Sequence, residues 1–303
     1  MGALARGLFG ALALAAFAGL ALGVLGPLAP FFDSFAHFRA HGAVALAFAG
    51  AVLIALGWRW RGGLTVAVAA AAFATVVTTF APVPAQEGET RLLQMNLLLY
   101  ADIGPALDAI AQEAPDLVVL QEVAPHHRPA LAGLAAYPHQ ALCLIPAGFD
   151  GVALLSKHPF VGDGGCLPRD QLLWRRVALP GGAVTVASFH AKLPWPFSQT
   201  AQFARIRPAL EALPAPRVIA GDLNAVPWSA SVERFERAAG VAVARGVGGT
   251  WPAVYGHAAA RWLGLSIDHV LVSDGVRVVA ARTLPATASD HLPVSVTFSG
   301  GAR

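Results

Sequence analysis

Three long stretches without a charged residue fill the first third of the chain and limit what it can fold into. Residues 7–32, 40–58 and 62–86 contain no Asp, Glu, Lys or Arg. A membrane-crossing helix needs about 20 mainly apolar residues, and each stretch is long enough. The stretches explain why the chain is 56% hydrophobic and only 13% charged, which is too apolar for an ordinary soluble protein. We therefore predict a membrane anchor of three transmembrane helices over residues 1–81.

Two other interpretations of these stretches are weaker. A cleaved signal peptide over residues 1–26 would need a small-residue cleavage site followed by polar mature sequence, but further apolar stretches follow instead. A transporter or channel would need ionisable residues inside its helices, and these stretches contain no Asp, Glu, Lys or Arg. The pattern favours an anchor over a transport path.

The few cations near the stretches predict the orientation of the anchor. Arg6 precedes the first helix, Asp33 and Arg39 nearly cancel in the first loop, and Arg59 and Arg61 lie in the second loop. Because loops rich in Arg stay in the cytoplasm, the amino terminus and the second loop are expected inside. Three crossings then place the rest of the chain outside. We expect a multi-pass protein of the inner (plasma) membrane whose remaining domain is periplasmic or extracellular.

Beyond the anchor, short apolar segments alternate with turns and helices. Residues 82–89 contain two prolines and the first acidic cluster, which predicts a linker, and one domain is expected over 90–303. Strands and helices that end near polar residues predict an α/β layered domain with its site at the strand ends. The predicted strands are 91–99, 116–123, 137–144, 151–156, 160–167, 172–179, 183–189, 218–220, 266–273 and the end of 288–298; the predicted helices are 103–113, 126–136, 200–213 and 231–239.

The segment 217–229, RVIAGDLNAVPWS, carries the most informative polar residues. Residues 218–220 are an apolar run typical of a buried strand, and Gly221 is expected to turn the backbone as the strand ends. Asp222 and Asn224 follow, and residues two apart on an extended chain point the same way. A carboxylate and an amide would then face one ligand together, although both residues are also common turn formers.

Polar residues of the same kind border other apolar strands. Asn96 interrupts one predicted strand, Glu122 closes the next, and His190 directly follows another. Each alone has an ordinary interpretation, as a satisfied core amide, a surface cap and a packed histidine. The complete strand-edge set is Asn96, Glu122, His190, Asp222, Asn224, Asp268, Asp290 and His291.

The chemistry of the strand-edge set points to a metal-assisted reaction. Carboxylates mixed with amides, without a Cys/His cluster, suit a hard cation such as Mg²⁺ or Mn²⁺. Such a site suits attack on a phosphate, because the metal neutralises the anionic ester, an Asp activates water, and His and Asn hold the developing negative charge. A serine nucleophile is not expected, since the chain has no G-x-S-x-G motif.

The charge and the cysteine content say less about the partners and the location of the protein. The net charge is +3 with a pI near 9.2, but the charges are scattered, so no nucleic-acid patch is predicted. Cys143 and Cys166 are the two cysteines. An external location permits a disulfide between them, but an even count does not decide the matter.

Seven short motifs follow one another along the soluble part of the chain. They are QMN (94–96), LQE (120–122), LLSKHP (154–159), SFH (188–190), GDLN (221–224), SIDH (266–269) and SDH (289–291). In this order they resemble the endonuclease/exonuclease/phosphatase superfamily, which includes DNase I-like nucleases, inositol-phosphate phosphatases and neutral sphingomyelinases. The resemblance covers about residues 90–299. It implies a four-layer α/β/β/α sandwich with two facing mixed sheets.

The resemblance also implies roles in metal binding and in water activation. Glu122 resembles the main metal ligand, with Asn96 beside it and Asp290 as a ligand of a second metal site. Asp222 resembles the residue that activates the attacking water. Asn224 resembles the residue that steadies the transition-state phosphate.

The two histidines resemble groups that contact the phosphate. His291 resembles the phosphate-contacting histidine, oriented by Asp268, and His190 matches a second histidine of the DNase I and sphingomyelinase branches. In DNase I-like enzymes an acidic residue just before the strand after the SKHP loop pairs with the equivalent of His190. This chain has Arg175 and Arg176 in the corresponding strand, LLWRRVAL. The departure argues against a DNase I-style leaving-group step.

Four aromatic residues lie in loops near the motifs, namely Trp195, Phe197, Trp228 and Trp251. They are expected either to form a hydrophobic rim for a lipid or a base, or to pack as ordinary loop residues. The chain shows none of the extra basic loops that a dedicated reader of duplex DNA would use.

The sequence therefore predicts a membrane-anchored, divalent-metal-dependent phosphoesterase. Its substrate would be a nucleic acid, a phospholipid headgroup or a small phosphoester, and no obligate protein partner is inferred. The alternative is a non-catalytic binding or scaffold domain that retained the fold. The intact Glu122, Asp222, Asn224 and His291 argue against that alternative.

Overall fold

The chain divides into two compact units in a computed structural model that describes residues 2–81, 90–146, 150–255 and 264–300. The first unit comprises Met1–Ala81 together with Trp228–Glu233, and the second comprises Pro82–Pro227 and Arg234–Arg303. The predicted linker over 82–89 lies outside the described residues.

The first unit is helical, as its uncharged stretches predict. It contains α1 (Gly2–Val24), α2 (Pro30–Ala36), α3 (Arg39–Ala55) and α4 (Arg59–Phe80). Two helices in the described residues are long and apolar enough to cross a membrane, Gly2–Val24 and Arg59–Val77. The pair α2 and α3 bends by 61° at its break and gives a third crossing only if it counts as one span. The described residues therefore provide two helices long and apolar enough to cross a membrane, or three if the bent pair is one span.

Small residues let these helices pack closely. A Cβ atom at Gly50 would meet the backbone oxygen of Gly62, so α3 and α4 approach at their glycines. Ala13, Leu46 and Ala69 are buried in the cluster shared by α1, α3 and α4. The helices associate through small side chains, as apolar helices in a bilayer do.

The first unit also contains a buried carboxylate. Asp33 is 5% exposed, and its two oxygens accept hydrogen bonds from the backbone nitrogens of Ala230 at 2.7 Å and Ser231 at 2.9 Å. These nitrogens belong to the first turn of α8 (Ala230–Ala239). An acidic side chain at this position satisfies donors that the helix leaves unpaired.

The second unit is built on two six-stranded mixed sheets, with orders β11-β12-β1-β2-β4-β3 and β5-β6-β7-β8-β10-β9. The pairs β1–β2 and β7–β8 are parallel and the other pairs are antiparallel. In chain order the strands are β1 (Thr90–Asn96), β2 (Leu117–Gln121), β3 (His139–Leu144), β4 (Gly151–Ser156), β5 (Gly165–Leu167), β6 (Leu172–Leu179), β7 (Gly182–His190), β8 (Arg217–Asp222), β9 (Ala242–Val243), β10 (Asp268–Val272), β11 (Arg277–Thr283) and β12 (Val294–Ser299).

The two sheets face each other across an apolar core and carry helices on their outer faces. Leu92, Val152, Val186 and Val270 are fully buried in the core between the sheets. On the first sheet, α5 (Gly104–Glu113) and α6 (Arg128–Ala132) cover the outer face. On the second sheet, Phe189 of β7 contacts Phe203 of α7 (Gln199–Ala212) and Phe235 of α8. The predicted four-layer α/β/β/α sandwich is confirmed.

Most predicted strands are confirmed, but two were missed. The missed strands are β9, which has two residues, and β11, whose pairing with β12 shifts between Val278 and Ala280. A bulge of this kind breaks the apolar alternation by which a strand is recognised. The predicted strand 160–167 was too long, because only β5 forms there beside a single bridge from Phe160 to Val177. The predicted helix 126–136 is reduced to a 3-10 turn and α6.

The two cysteines form a disulfide, which the sequence left open. Cys143 lies on β3 of the first sheet and Cys166 on β5 of the second. The bond therefore joins the two sheets covalently across a sequence separation of 23 residues.

Candidate active site

The inner faces of the strands change from apolar to polar toward one end of the sandwich. On β1, Leu92 lies in the core, whereas Gln94 and Asn96 on the same face meet polar groups of the opposite sheet. On β8, the buried Ala220 is followed two residues later by Asp222. Residues two apart share a face of a strand, so each strand contributes its last inner positions to one place. The polar residues at this end are Gln94, Asn96, Gln121, Ser188, His190, Asp222 and Asp268.

An amide joins two carboxylates from opposite sheets. Asn96 Nδ2 donates to Glu122 Oε1 at 3.0 Å and to Asp222 Oδ2 at 3.2 Å. The second oxygen of Glu122 accepts the backbone N–H of Leu99 at 2.9 Å. Glu122 has φ +54°, a conformation that is rare for a residue with a side chain and concentrates at functional sites. This backbone turns the Glu122 carboxylate toward Asn96 as β2 ends.

An aspartate and a histidine form a buried ion pair beside Asp222. Asp268 Oδ2 lies 2.8 Å from His291 Nδ1, and His291 Nε2 lies 3.8 Å from Asp222 Oδ2. Burial by itself would lower the pKa of His291, but Asp268 and Asp222 outweigh it and raise that pKa to about 10. Burial likewise opposes ionisation of Asp268, yet the charge and hydrogen bond of His291 lower its pKa. The pair is therefore ionic, with a protonated imidazole facing Asp222.

Asp222 lies between this pair and the second histidine. Burial, followed by the nearby charge of Asp268, raises the pKa of Asp222 to about 7. His190 Nε2 lies 3.6 Å from Asp222 Oδ2, and burial lowers the pKa of His190 to about 4. A carboxyl group with a pKa near neutrality can gain or lose a proton under ordinary conditions, which suits acid–base chemistry.

Asp222 and Asn224 come together through a turn and not along an extended strand. The strand continues through Gly221, where a Cβ atom would clash with the carbonyl oxygen of Phe189. Asn224 has φ +48°, and its backbone nitrogen donates to Asp222 Oδ1 at 2.7 Å. Its Nδ2 donates to the carbonyl of Ala191, next to His190, at 2.8 Å. The predicted extended geometry was therefore wrong, because the left-handed backbone at Asn224 reverses the chain.

Asp290 lies at the outer side of this cluster. Its side chain is 43% exposed, and Oδ1 lies 3.9 Å from His291 Nε2. Oδ2 accepts a hydrogen bond from Trp251 Nε1 at 2.9 Å. All eight residues of the strand-edge set thus occur at one end of the sandwich. Seven are joined through side-chain contacts, and Asn224 contacts the carboxylate of Asp222 and the backbone carbonyl of Ala191.

The donor set fits a hard divalent cation. Asp222, Asp268 and His291 offer ligand atoms within 4.8 Å of one another, which is a group that could hold a metal ion. Glu122 and Asp290 add two further carboxylates, so negative groups outnumber the one cationic imidazole of this group. Oxygen ligands of this kind suit Mg²⁺ or Mn²⁺. The structure therefore places more potential ligands together than the predicted set of Glu122, Asn96 and Asp290.

Residues 93–291 match the sequence profile of the Endonuclease/Exonuclease/phosphatase family. The chain belongs to this family. The match begins at β1 and ends at His291, so it contains every residue of the strand-edge set. No curated protein matches the chain at significant similarity.

Solved structures of family members have the same fold. The chain is similar to an endonuclease/exonuclease/phosphatase from Beutenbergia cavernae, with 26% identity and a TM-score of 0.57 over 71% of this chain and 72% of that one. It is also similar to the endonuclease/exonuclease/phosphatase from Bacteroides vulgatus, with 18% identity and a TM-score of 0.56 over 70% of this chain and 98% of that one. A third similar structure is TDP2 of D. rerio complexed with a single-strand DNA product, with 19% identity and a TM-score of 0.55 over 69% of this chain and 98% of that one. The sandwich is a phosphoesterase fold.

Sequence reasoning missed a buried polar network beneath the site of this family member. Gln94 Nε2 donates to Asp268 Oδ1 at 2.9 Å and to Gln121 Oε1 at 2.7 Å. Gln121 in turn donates to Ser188 Oγ at 3.1 Å, which links the two sheets. Gln94 lies two residues before Asn96, and this spacing on one strand face was the signal that could have identified it.

The side chain that pairs with His190 is an amide. The residue just before β6 is Gln171, and its Oε1 lies 3.0 Å from His190 Nδ1. Arg175 and Arg176 do not take this position, because they bond backbone carbonyls of Trp174 at 2.9 Å and of Ala215 at 3.4 Å. The side chain beside His190 Nδ1 is therefore Gln171 and not Arg175 or Arg176.

The four loop aromatics do not share one environment. Trp195 and Phe197 are 49% and 64% exposed, and Trp251 is 36% exposed beside Asp290. Trp228 belongs to the first unit, where its Nε1 donates to the carbonyl of Ala36 at 2.7 Å. Trp228 is therefore a packing residue, whereas the other three leave aromatic surface in contact with solvent.

Proposed function

We propose that the protein is a membrane-anchored phosphoesterase that depends on Mg²⁺ or Mn²⁺ and acts in the cleft between the two sheets. The observation that carries the proposal is the contact chain from Glu122 through Asn96 and Asp222 to His291 and Asp268. These residues come from both sheets. Burying so many carboxylates together is unfavourable for folding alone, so the arrangement indicates a chemical role.

Glu122 and Asn96 would hold the metal ion, with Asp290 as a ligand of a second site. Asn96 already lies between Glu122 and Asp222, where carboxylate oxygens of the two sheets converge. When bound, the ion would neutralise the phosphate and stabilise the charge that develops on it. The nearby group of Asp222, Asp268 and His291 supplies additional negative charge that favours a cation.

The remaining residues have distinct roles in this proposal. Asp222, with its pKa raised to about 7, orients the attacking water and accepts its proton. His291, kept protonated by Asp268, binds a phosphate oxygen through Nε2, which faces the cleft near Asp222. Asn224 steadies the same phosphate from the turn after β8. Asp268 acts through His291 and does not contact the substrate.

The apolar helices support a location in the inner membrane with the catalytic domain outside the cytoplasm. Two helices are long and apolar enough to span a bilayer, and Arg59 and Arg61 follow the turn between α3 and α4. The Cys143–Cys166 disulfide adds support, because such bonds persist in oxidising compartments and are rare in the cytosol. An alkaline phosphatase fused after Arg303 should be active; an inactive fusion beside an active cytoplasmic reporter fusion would reverse the orientation.

The substrate class is a phosphodiester or phosphomonoester in a nucleic acid, a lipid headgroup or a small molecule. Turnover should be assayed with the full chain in detergent and Mg²⁺, against single-stranded DNA, sphingomyelin and bis-p-nitrophenyl phosphate. Glu122→Gln and Asp222→Asn should each lower kcat by about 10³-fold. Glu211→Gln, at an exposed surface pair with Arg207, is the matched control and should keep full activity.

A second measurement separates catalysis from binding alone. Mg²⁺ at about 100 times its Kd should raise the free energy of unfolding by about 2.7 kcal/mol, and Glu122→Gln should remove this effect. Parent protein that binds Mg²⁺ but turns over none of the three substrates would favour the scaffold alternative. Full activity in both variants would contradict the residue assignments.

A further inference from the structure

We propose that Gln171 is a positioning residue that holds the His190 imidazole with its proton on Nδ1, so that Nε2 faces the cleft as a hydrogen-bond acceptor. The neighbour of Nδ1 is a neutral amide and not a carboxylate. His190 in this chain would therefore accept a hydrogen bond from water or substrate and would not donate a proton to the leaving group. The catalytic part of this inference rests on the proposed function, whereas the position of the proton does not.

The orientation of the Gln171 amide follows from its second neighbour. Gln171 Nε2 faces Asp150 Oδ2 at 3.4 Å, and Gln171 Oε1 faces His190 Nδ1 at 3.0 Å. A carboxylate can only accept hydrogen bonds, so the amide nitrogen must lie on the Asp150 side. The amide oxygen then faces the histidine, and it too can only accept. Nδ1 must consequently carry the proton.

The backbone fixes the same relation between the two residues. Gln171 is 2% exposed and has φ +49°, which places it in the left-handed turn that ends a 3-10 helix over Pro168–Asp170. The backbone nitrogen of His190 donates to the carbonyl of Gln171 at 3.1 Å. His190 is therefore bound to Gln171 by its main chain and by its ring. A non-glycine residue is uncommon in this conformation and persists where the surrounding structure requires it.

An amide and a carboxylate have different effects on an imidazole. A carboxylate partner would stabilise the doubly protonated ring through its charge, as Asp268 does for His291. The neutral Gln171 orients the ring without a charge of its own, and the Asp150 charge raises the pKa of His190 less than burial lowers it. The two histidines of the cleft are thus differentiated: His291 donates toward the substrate, and His190 accepts. Nε2 of His190 lies 3.6 Å from Asp222 Oδ2, on the side of the attacking water.

Nitrogen NMR of the full chain in lipid bilayers tests the position of the proton. With ¹⁵N-labelled histidine, the two ring nitrogens give separate signals for protonated and unprotonated states, and His190→Gln identifies the signals of His190. The parent should show a protonated Nδ1 and an unprotonated Nε2. Gln171→Met should shift His190 toward the Nε2-protonated tautomer, and Gln171→Glu should give a ring protonated at both nitrogens. Gln112→Glu, at an exposed position of α5, is the matched control.

Kinetics of the same proteins test the consequence for turnover. Gln171→Met should lower kcat for bis-p-nitrophenyl phosphate by about 10-fold and leave KM within about twofold, because the residue orients a catalytic group. Gln171→Glu should also lower kcat, since it converts His190 into a donor, even though it preserves the size of the side chain. A protonated Nε2 in the parent, or unchanged spectra in Gln171→Met, would overturn the inference. If the parent lacked turnover, the proposed function would fail while the spectra would still decide the tautomer.

Discussion

Both compact units bury a carboxylate, but they satisfy it in different ways. Asp33 in the first unit is 5% exposed and Asp268 in the second is fully buried. Asp33 accepts two backbone N–H groups, from Ala230 and Ser231. Asp268 is paired with His291 and receives a further hydrogen bond from Gln94. The first arrangement uses neutral donors at a helix start, and the second uses an opposite charge.

The surroundings of the two carboxylates explain the difference. The first unit leaves large apolar side chains such as Leu8 and Leu14 exposed, at 65% and 69%. In the second unit the core between the sheets is apolar at one end and polar at the other. Helix-start donors are enough for a carboxylate that only terminates a helix. A cluster of carboxylates around one cleft requires counter-charge, and this indicates a function beyond folding.

The largest expected effect comes from the paired carboxylate. Asp268→Ala leaves a buried imidazolium without its partner and should lower the free energy of unfolding of the second unit by about 3–5 kcal/mol. Chemical denaturation followed by tryptophan fluorescence measures it. Asp274→Ala, at an exposed turn, should stay within about 0.5 kcal/mol. Equal stability of the two variants would show that the buried Asp268 does not depend on the opposite charge of His291.

The next largest effect tests whether the exposed apolar surface of the first unit faces lipid. Leu14→Arg places a charge near the middle of α1 and should disfavour membrane insertion by about 3.5 kcal/mol relative to leucine. Fractionation and glycosylation-mapping of inserted chains measure the change. Leu14→Ile keeps the apolar surface and should insert normally. Normal insertion of the arginine variant would contradict a transmembrane α1.

The disulfide should matter only to the second unit. Cys143 and Cys166 are separated by 23 positions in the sequence, and the disulfide closes this segment into a loop. Replacing both cysteines by serine should lower the free energy of unfolding by about 3 kcal/mol, because the unfolded chain is no longer constrained. Thermal unfolding with and without reductant measures the effect, and the parent in reductant is the matched comparison. An identical loss in the helical unit would show that the two units do not unfold independently.

The smallest expected effect comes from the carboxylate that caps a helix. Asp33→Ala should lower stability by about 1 kcal/mol, the usual loss when an N-terminal cap is removed. Asp33→Asn keeps one of the two oxygen acceptors and should lose less stability than Asp33→Ala. A loss from Asp33→Ala as large as that from Asp268→Ala would mean that the two carboxylates are buried by the same mechanism.

Much of the fold and the polar residues at the strand ends could be predicted from local patterns. The apolar runs of β1, β2 and β8 are recognisable because strands buried on both faces are continuously hydrophobic. Polar residues at their ends were recognisable because they interrupt those runs. Strand β11 was missed because its bulge breaks the pattern.

The partners of the site residues could not be predicted in this way. Gln171 contacts His190 across 19 residues of sequence, and Gln94 contacts Asp268 across 174. Asn224 reaches its position through a left-handed backbone that sequence alone does not require of asparagine. The pairing of Cys143 with Cys166 also depends on how two sheets face each other.

The amino-acid sequence by itself determined the apolar helices, the strand pattern and the residue types at the strand ends, because each depends on neighbours within a few positions. The tertiary structure decided which polar groups meet, since hydrogen bonds between facing sheets depend on register and on single backbone dihedrals. That is why the strand-edge set could be named from the sequence, whereas the amide beside His190 became evident only in the folded chain.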